Sequence, residues 1–299
     1  MRKFRNVSLI VLTLLPLLSC VTSCEKERTG YEGRESGSFH CSVDKERLWF
    51  WAEKPENLKL YFFPASGLEI KTFELDIDGG TVENIPENRY DIIALAGNMK
   101  NISYRSMGNY HTAEIFLSEK IDKDGHSIVG QPEVVYADRG TVTVQPERIT
   151  EKELKPVSLV KCLAFRLRSV GEVPVEKYVC RLAGVASAIR LSNGEPVNCR
   201  SSVLFEPQKI VTEYFARVRV FGFNTKETEG KALLYIDCFL KNGTKKNLVL
   251  DLTEHIDLFH SDSASCTIEI DFENVDVALN PVVTIIDWQT GEDGYIELP

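Results

Sequence analysis

Positive charge is in short supply in this chain of 299 residues: 35 Lys and Arg stand against 44 Asp and Glu, a formal net charge of −9. Nucleic acid or an anionic lipid surface would demand the opposite sign, so neither is expected as a partner. Long apolar runs are also missing. The run at residues 7–18 is about a dozen residues long, where a helix spanning hydrocarbon needs about 20. Motifs that carry a reaction are absent as well. No Gly-x-Ser-x-Gly, Ser-x-x-Lys or cysteine-protease signature occurs, so acyl transfer has neither a marked nucleophile nor a marked base. His-Glu-x-x-His does not occur either, and His40, His111, His126, His255 and His260 are scattered in polar surroundings. No Gly-rich loop precedes a helix, which leaves nucleotide binding without support. Acids alternate with apolar residues, as at Glu74/Asp76 and Glu269/Asp271, a pattern of solvent-facing strand positions rather than of paired catalytic carboxylates. The expectation is a protein that is not an enzyme, with no cofactor and no metal.

What is present begins with residues 1–24. Arg2, Lys3 and Arg5 precede the apolar run, and Leu17-Leu18-Ser19-Cys20 and Val21-Thr22-Ser23-Cys24 follow it. A positive start, a short apolar middle and small residues before a cysteine make a bacterial lipoprotein signal. Leu17 at −3 and Ser19 at −1 favour Cys20 as the lipidated residue, whereas the charged Glu25-Lys26-Glu27 favours Cys24; both stay open. Each buried lipid methylene adds about 0.8 kcal/mol of membrane affinity, so such an anchor is permanent and the rest is a tethered body. Residues 25–38 are charged, contain Gly and Ser and have almost no apolar side chains, as a flexible tether should.

From residue 39 the period is two, hardly ever 3.6. An apolar content of 43% is enough for one large or two ordinary cores. Strands are predicted at 46–52, 58–63, 70–76, 81–85, 90–96, 102–105 and 112–117, and turns at Asp78-Gly79-Gly80 and Pro86-Glu87-Asn88. That rhythm implies a β-sandwich. Strands at 134–136 and 141–144 close a first domain, 39–148. The charged, Pro-bounded stretch 145–156 carries the boundary, and a second domain takes 149–299, with strands at 159–167, 178–182, 201–205, 214–223, 233–240, 247–252, 266–272 and 282–288. Residues 184–188 are small and suited to close packing, and Lys241-Asn242-Gly243-Thr244 reads as a tight hairpin. Helix is nearly absent; residues 253–259 have room for a turn or two.

Six cysteines remain once the lipobox pair is set aside: Cys41, Cys162, Cys180, Cys199, Cys238 and Cys266, with no short ligand spacing. Cys238 and Cys266 fall on the apolar side of alternating stretches, so small buried hydrophobes are expected. Cys180 and Cys199 bracket one excursion and are the pair to test for a bridge. Asp122 and Asp124 have the first and third spacing of a calcium loop, but the later acidic ligand is missing, so residues 122–126 read as a solvated turn. Trp49, Trp51, Tyr61, Phe62 and Phe63 form the densest aromatic cluster, expected in a core rather than on a carbohydrate platform. Trp288 could equally close an edge.

Leu58-Lys59-Leu60-Tyr61-Phe62-Phe63-Pro64, the Asp78-Gly79-Gly80 turn and Asn88-Arg89-Tyr90-Asp91-Ile92-Ile93 resemble the first domain of Bacteroidales fimbrillin-like lipoproteins. Residues 180–186, Val220-Phe221-Gly222-Phe223, Asn242-Gly243 and Ile286-Asp287-Trp288 are similar to the same group, so the likeness covers most of the mature chain. Where the group has Pro-x-Gly-x-Tyr this chain has Pro86-Glu87-Asn88-Arg89-Tyr90, and Asn88 is expected to tolerate the positive φ. The resemblance implies an all-β protein of two transthyretin-like β-sandwich domains in tandem, lipid-anchored in the outer membrane at the cell surface. It implies a fimbrial subunit or anchor in adhesion, with other fimbrillin-like subunits as partners joined by strand addition. Proteolysis after arginine is implied too, with Arg34 in the tether better placed than Arg47. Asp262-Ser263-Ala264, in an expected polar loop, is similar to the acceptor of Bacteroides O-glycosylation, at Ser263. The competing classes are a surface lipoprotein that binds a host or glycan ligand through exposed aromatics, and a hydrolase with carboxylates clustered in a cleft.

Overall fold

Alternating apolar and polar residues, together with short runs apolar on both faces, leave strands as the way to bury this chain's side chains. The structure, a computed structural model, describes residues 35–44, 55–97, 99–170, 174–223, 231–254, 263–271 and 282–291, the last two stretches through their backbone. The named elements among them are all β-strands, and residues 253–254 form part of a 3-10 turn. In chain order these are β1 (Ser36–Val43), β2 (Asn57–Pro64), β3 (Lys71–Asp76), β4 (Gly79–Pro86), β5 (Asn88–Gly97), β6 (Ile102–Arg105), β7 (Glu114–Leu117), β8 (Glu119–Ile121), β9 (Ser127–Val129), β10 (Val135–Val144), β11 (Ile149–Leu154) and β12 (Val157–Ser158). They continue as β13 (Lys161–Val170), β14 (Val175–Val185), β15 (Ala188–Arg190), β16 (Pro196–Val197), β17 (Ser201–Phe205), β18 (Gln208–Ile210), β19 (Glu213–Val220), β20 (Leu233–Leu240), β21 (Lys245–Asp251), β22 (Ser263–Asp271) and β23 (Val282–Gly291). No helix among the described residues is long and apolar enough to cross a membrane.

Four sheets result, with strand orders β11-β1-β4-β3-β2-β5-β10-β12, β16-β15-β7-β6, β21-β20-β14-β17-β9-β8 and β18-β19-β13-β22-β23. In the eight-stranded sheet, alternate residues of one strand serve two cores. Leu58, Leu60 and Phe62 of β2, Tyr90, Ile92 and Ala94 of β5 and Tyr136 of β10 fill a core with Phe39 and Ile85. Tyr61, Phe63, Ile93, Leu95, Val135 and Ala137 face the other way, into a larger core that continues through Leu163, Phe165, Tyr178 and Ile236. Burial on both faces is why residues 58–63 and 90–96 are apolar almost without a break. Phe62 centres the smaller core, with its ring edge-on to Phe39, Phe73 and Tyr90 at 5.2, 5.6 and 5.6 Å.

The turn before β5 is not held by a positive φ at Asn88. Asn88 already begins the strand, the positive φ falls on Asn84 (59°), and the buried Tyr90 hydroxyl donates to the Pro86 carbonyl at 2.8 Å. A tyrosine bonded to backbone four residues upstream ties the corner without glycine, as the tyrosine corner of immunoglobulin-type sandwiches does. The small-residue stretch at 184–188 packs as expected: a Cβ on Gly184 (φ +83°) would lie 2.5 Å from the Lys231 carbonyl oxygen.

Other expectations shift. Ser36 already opens β1, so the last residues of the expected tether are strand, while residues up to 34 lie outside the described part. The charged stretch after 148 contains β11, whose Ile149 to Leu154 pair in parallel with Ser38 to Val43 of β1, so the eight-stranded sheet runs past residue 148. Only Leu154 of β11 is buried, and Ile149 is 63% exposed. A backbone ladder with so little apolar contact leaves almost no pattern to read. Strands from either side of residue 148 also share sheets, β7 with β15 and β9 with β17. At that junction the buried Glu114 sits between the Arg105 Nε at 2.7 Å and the Arg190 Nη2 at 3.5 Å. The strand expected at 46–52, with Trp49 and Trp51, lies outside the described residues.

Candidate functional site

The six-stranded sheet exposes the face best suited to contact. Tyr178, Cys180, Leu182, Leu234, Ile236 and Cys238 point into the larger core, so the residues between them point outward. Register then makes rows across the strands. Leu204, Arg181, Tyr235 and Val249 stand side by side on β17, β14, β20 and β21. Next come Val179, Asp237 and Asn247, then Lys177, Phe239 and Lys245. Leu204 and Val249 are 50% and 56% exposed, unusual for large apolar side chains lying in one row. Both aromatic rings are covered by cations. The Arg181 guanidinium lies 3.8 Å from the Tyr235 ring centre, and the Lys177 and Lys245 ammoniums lie 5.1 and 5.5 Å from that of Phe239. Lys245 also pairs with Asp237 at 2.7 Å.

A groove of about 310 Å³ runs over this face, walled by the turn at 122–126. In that turn the Asp122 Oδ1 accepts from the Asp124 and His126 backbone N–H groups at 2.9 and 2.8 Å, and its Oδ2 lies 3.2 Å from the His126 Nδ1. The His126 N–H and the other turn donors hold the Asp122 carboxyl below the usual carboxylate range, against a burial effect of opposite sign. A general acid for hydrolysis needs the reverse shift. Asp122, Asp124 and His126 each place a ligand atom within 4.8 Å of the others. Both Asp122 oxygens are engaged by the turn itself, which fits the solvated turn rather than a calcium loop.

Beside this face the sheet ends, among the described residues, at β21. The Leu240 N–H donates to Thr244 and the Leu252 N–H to Ala232, and pairing alternates along an antiparallel ladder. Lys246, Leu248 and Leu250 therefore bond to β20, while Lys245, Asn247, Val249 and Asp251 turn their N–H and C=O groups outward. The hairpin that sets this register is the expected one, closed by Gly243 at φ +83°. Charge at both ends leaves Asn247-Leu248-Val249-Leu250 as the uncharged middle of an edge that is open among the described residues.

Of the site residues named from sequence, Cys20, Cys24 and Arg34 lie outside the described part, as do His255 and His260. Ser263 opens β22 between Cys162 and Gly291 rather than sitting in a loop. His40, His111 and His126 are exposed and not brought together. Tyr61, Phe62 and Phe63 are core. Cys180 is a free buried thiol, so no bridge joins it to the buried Cys199. Sequence reasoning missed the outward row on β20. The signal was available, because Leu233, Tyr235, Asp237 and Phe239 occupy the face opposite Cys238.

Solved structures share this fold. A candidate adhesin of Bacteroides ovatus superposes with a TM-score of 0.62 at 20% identity, over 75% of this chain and 85% of its own. The fimbrial anchor protein Mfa2 of Porphyromonas gingivalis gives 0.55 at 12% identity, over 85% and 99%. A candidate polysaccharide-binding protein of Bacteroides thetaiotaomicron gives 0.54 at 11%, over 84% and 95%. At these identities the likeness is one of fold, that of an all-β chain. Residues 23–223 match the family described as a domain of unknown function, DUF5119, and the chain belongs to that family. No curated protein matches it.

Proposed function

We propose that this chain is an outer-membrane lipoprotein of the cell surface, a structural or anchoring component of fimbriae or adhesion that assembles by β-strand addition. The observation that carries the reading is the edge of β21, unpaired among the described residues, with outward N–H and C=O groups at Asn247 and Val249 beside the exposed Leu204–Val249 row. The fold shared with a fimbrial anchor protein supports it. In this reading Cys20 or Cys24 carries the lipid, and the tethered body is a pair of transthyretin-like sandwiches whose sheets run across residue 148. Arg34 precedes β1, so cleavage there leaves β1 between β4 and β11 and removes only the anchor. Affinity purification from native outer membranes, read by mass spectrometry, should recover fimbrillin-like subunits. A monomer with no such partner, or a surface form starting at Glu35, overturns the anchor reading. Glycosylation of Ser263 belongs to the same proposal, and an unchanged intact mass removes it.

The second reading is a glycan-binding surface lipoprotein, favoured by the outward Tyr235 and Phe239 and by the groove over them. Sugar stacking there requires Arg181 to leave the Tyr235 ring. Retention on oligosaccharide columns that disappears in Tyr235→Ala would support this reading over the first.

A further inference from the structure

Arg139 of β10 is a half-buried cation that forms no ion pair among the described residues. Its strand neighbour Asp138 points to the opposite face and pairs with Lys152 at 3.1 Å. The Arg139 Nε donates to the Leu191 carbonyl, and its Nη2 is buried with no hydrogen-bond partner. Desolvation by burial lowers the pKa of this guanidinium, partly offset by Tyr110 and Asp138 at a distance. The chain nevertheless keeps room for it: Gly194, at φ +74°, would bring a Cβ within 2.9 Å of Nη2. A desolvated charge without a partner is costly, which makes the surroundings informative. Arg139 forms part of the wall of a cavity of about 270 Å³ that shares no lining residue with the groove over the six-stranded sheet. Lys161 and Asn193 also line the cavity, and Leu159, Ile189 and Phe221 give it apolar wall.

We infer that this cavity binds a small organic carboxylate, with the anionic group on Arg139 and the apolar body against Leu159, Ile189 and Phe221. A carboxylate accepts two parallel N–H bonds from a guanidinium, the geometry that supplies what Nη2 lacks. A bare inorganic anion would leave the apolar wall unfilled, and a neutral ligand would leave the cation unpaired. The site is independent of the strand edge, so either can fail without the other.

The test uses the mature chain, with benzoate as ligand, benzamide as its uncharged counterpart and inorganic phosphate as the anion without an apolar body. Benzoate should raise the melting temperature saturably and more than either control. Arg139→Met, which keeps an unbranched stem, should weaken benzoate binding about tenfold or more, the loss expected for a charge-assisted pair. Equal effects of benzoate and benzamide, or of benzoate and phosphate, overturn the inference, as does no effect of benzoate. Should Arg139→Met fail to fold, the benzoate–benzamide comparison on the unsubstituted chain decides alone. Glu227 and Glu229 follow Phe223 in the sequence and lie outside the described residues. Benzoate binding only after Glu227→Gln and Glu229→Gln would mean that the chain supplies its own carboxylate, and also overturns the inference.

Discussion

Proline at Val249 should separate the edge of β21 from its fold. The Val249 N–H points away from β20, so proline there removes no bond of the β20–β21 ladder. The side chain is 56% exposed, so little burial is lost. What remains is the mismatch between an extended φ and the proline value, a cost of about 1 kcal/mol in an edge strand. In a chain of this size that lowers the melting temperature by about 2–4 °C. Proline one residue earlier behaves differently. Leu248 is 5% exposed and bonds to Ile236 across the ladder, so Leu248→Pro loses a hydrogen bond, leaves a carbonyl unpaired and disturbs core packing. Together these amount to about 4 kcal/mol or more. Urea unfolding of both variants, beside recovery of fimbrillin-like subunits from membrane extracts, checks the argument. Val249→Pro should stay folded and lose its partners. If it unfolds as readily as Leu248→Pro, the outward assignment is wrong; if it recovers partners like the unsubstituted chain, β21 is not the edge that joins them.

Tyr90→Phe removes the hydroxyl from the Pro86 carbonyl while keeping the ring beside Phe62, and should cost about 1 kcal/mol in a urea titration. Glu119 gives a pH dependence. Burial pushes its carboxyl up, but hydrogen bonds from Ser187, Ser127, Ser201 and Asn198 together outweigh this and hold it below the ordinary 4.5. Its folded pKa is depressed, so its stabilisation is present above the unfolded value and disappears as the pH falls through the folded one. Glu119→Gln should therefore narrow the gap between urea midpoints measured at about pH 7 and about pH 3. Cys41, Cys162, Cys180 and Cys238 are buried free thiols, and burial pushes each pKa up, that of Cys238 to about 12. Iodoacetamide should leave these four unmodified in the native chain and alkylate them after denaturation, read by peptide mass.

Nearly unbroken apolar runs at 58–63 and 90–96 and alternation along 233–240 were enough to place β2, β5 and β20, because each of these strands buries at least one whole face. The candidate face was half legible. The outward Tyr235 and Phe239 are visible in the alternation of β20, but the Leu204–Arg181–Tyr235–Val249 row joins four strands whose order no local pattern contains. Arg139 gives no signal at all in sequence. It is one basic residue in a strand, and its lack of a carboxylate partner exists only after Leu191 and Gly194 close around it.

By itself the sequence determined the strand content, the tight hairpin at Gly243 and the core role of Tyr61, Phe62 and Phe63. These depend on the two-residue period, on turn chemistry and on hydrophobicity, which are properties of neighbours along the chain. Tertiary structure decided which strands lie at sheet ends, that β1 takes β11 as a parallel neighbour, and that strands from either side of residue 148 share sheets. Those outcomes rest on backbone hydrogen bonds, which every residue type but proline can make in full and which therefore leave little trace in side-chain identity.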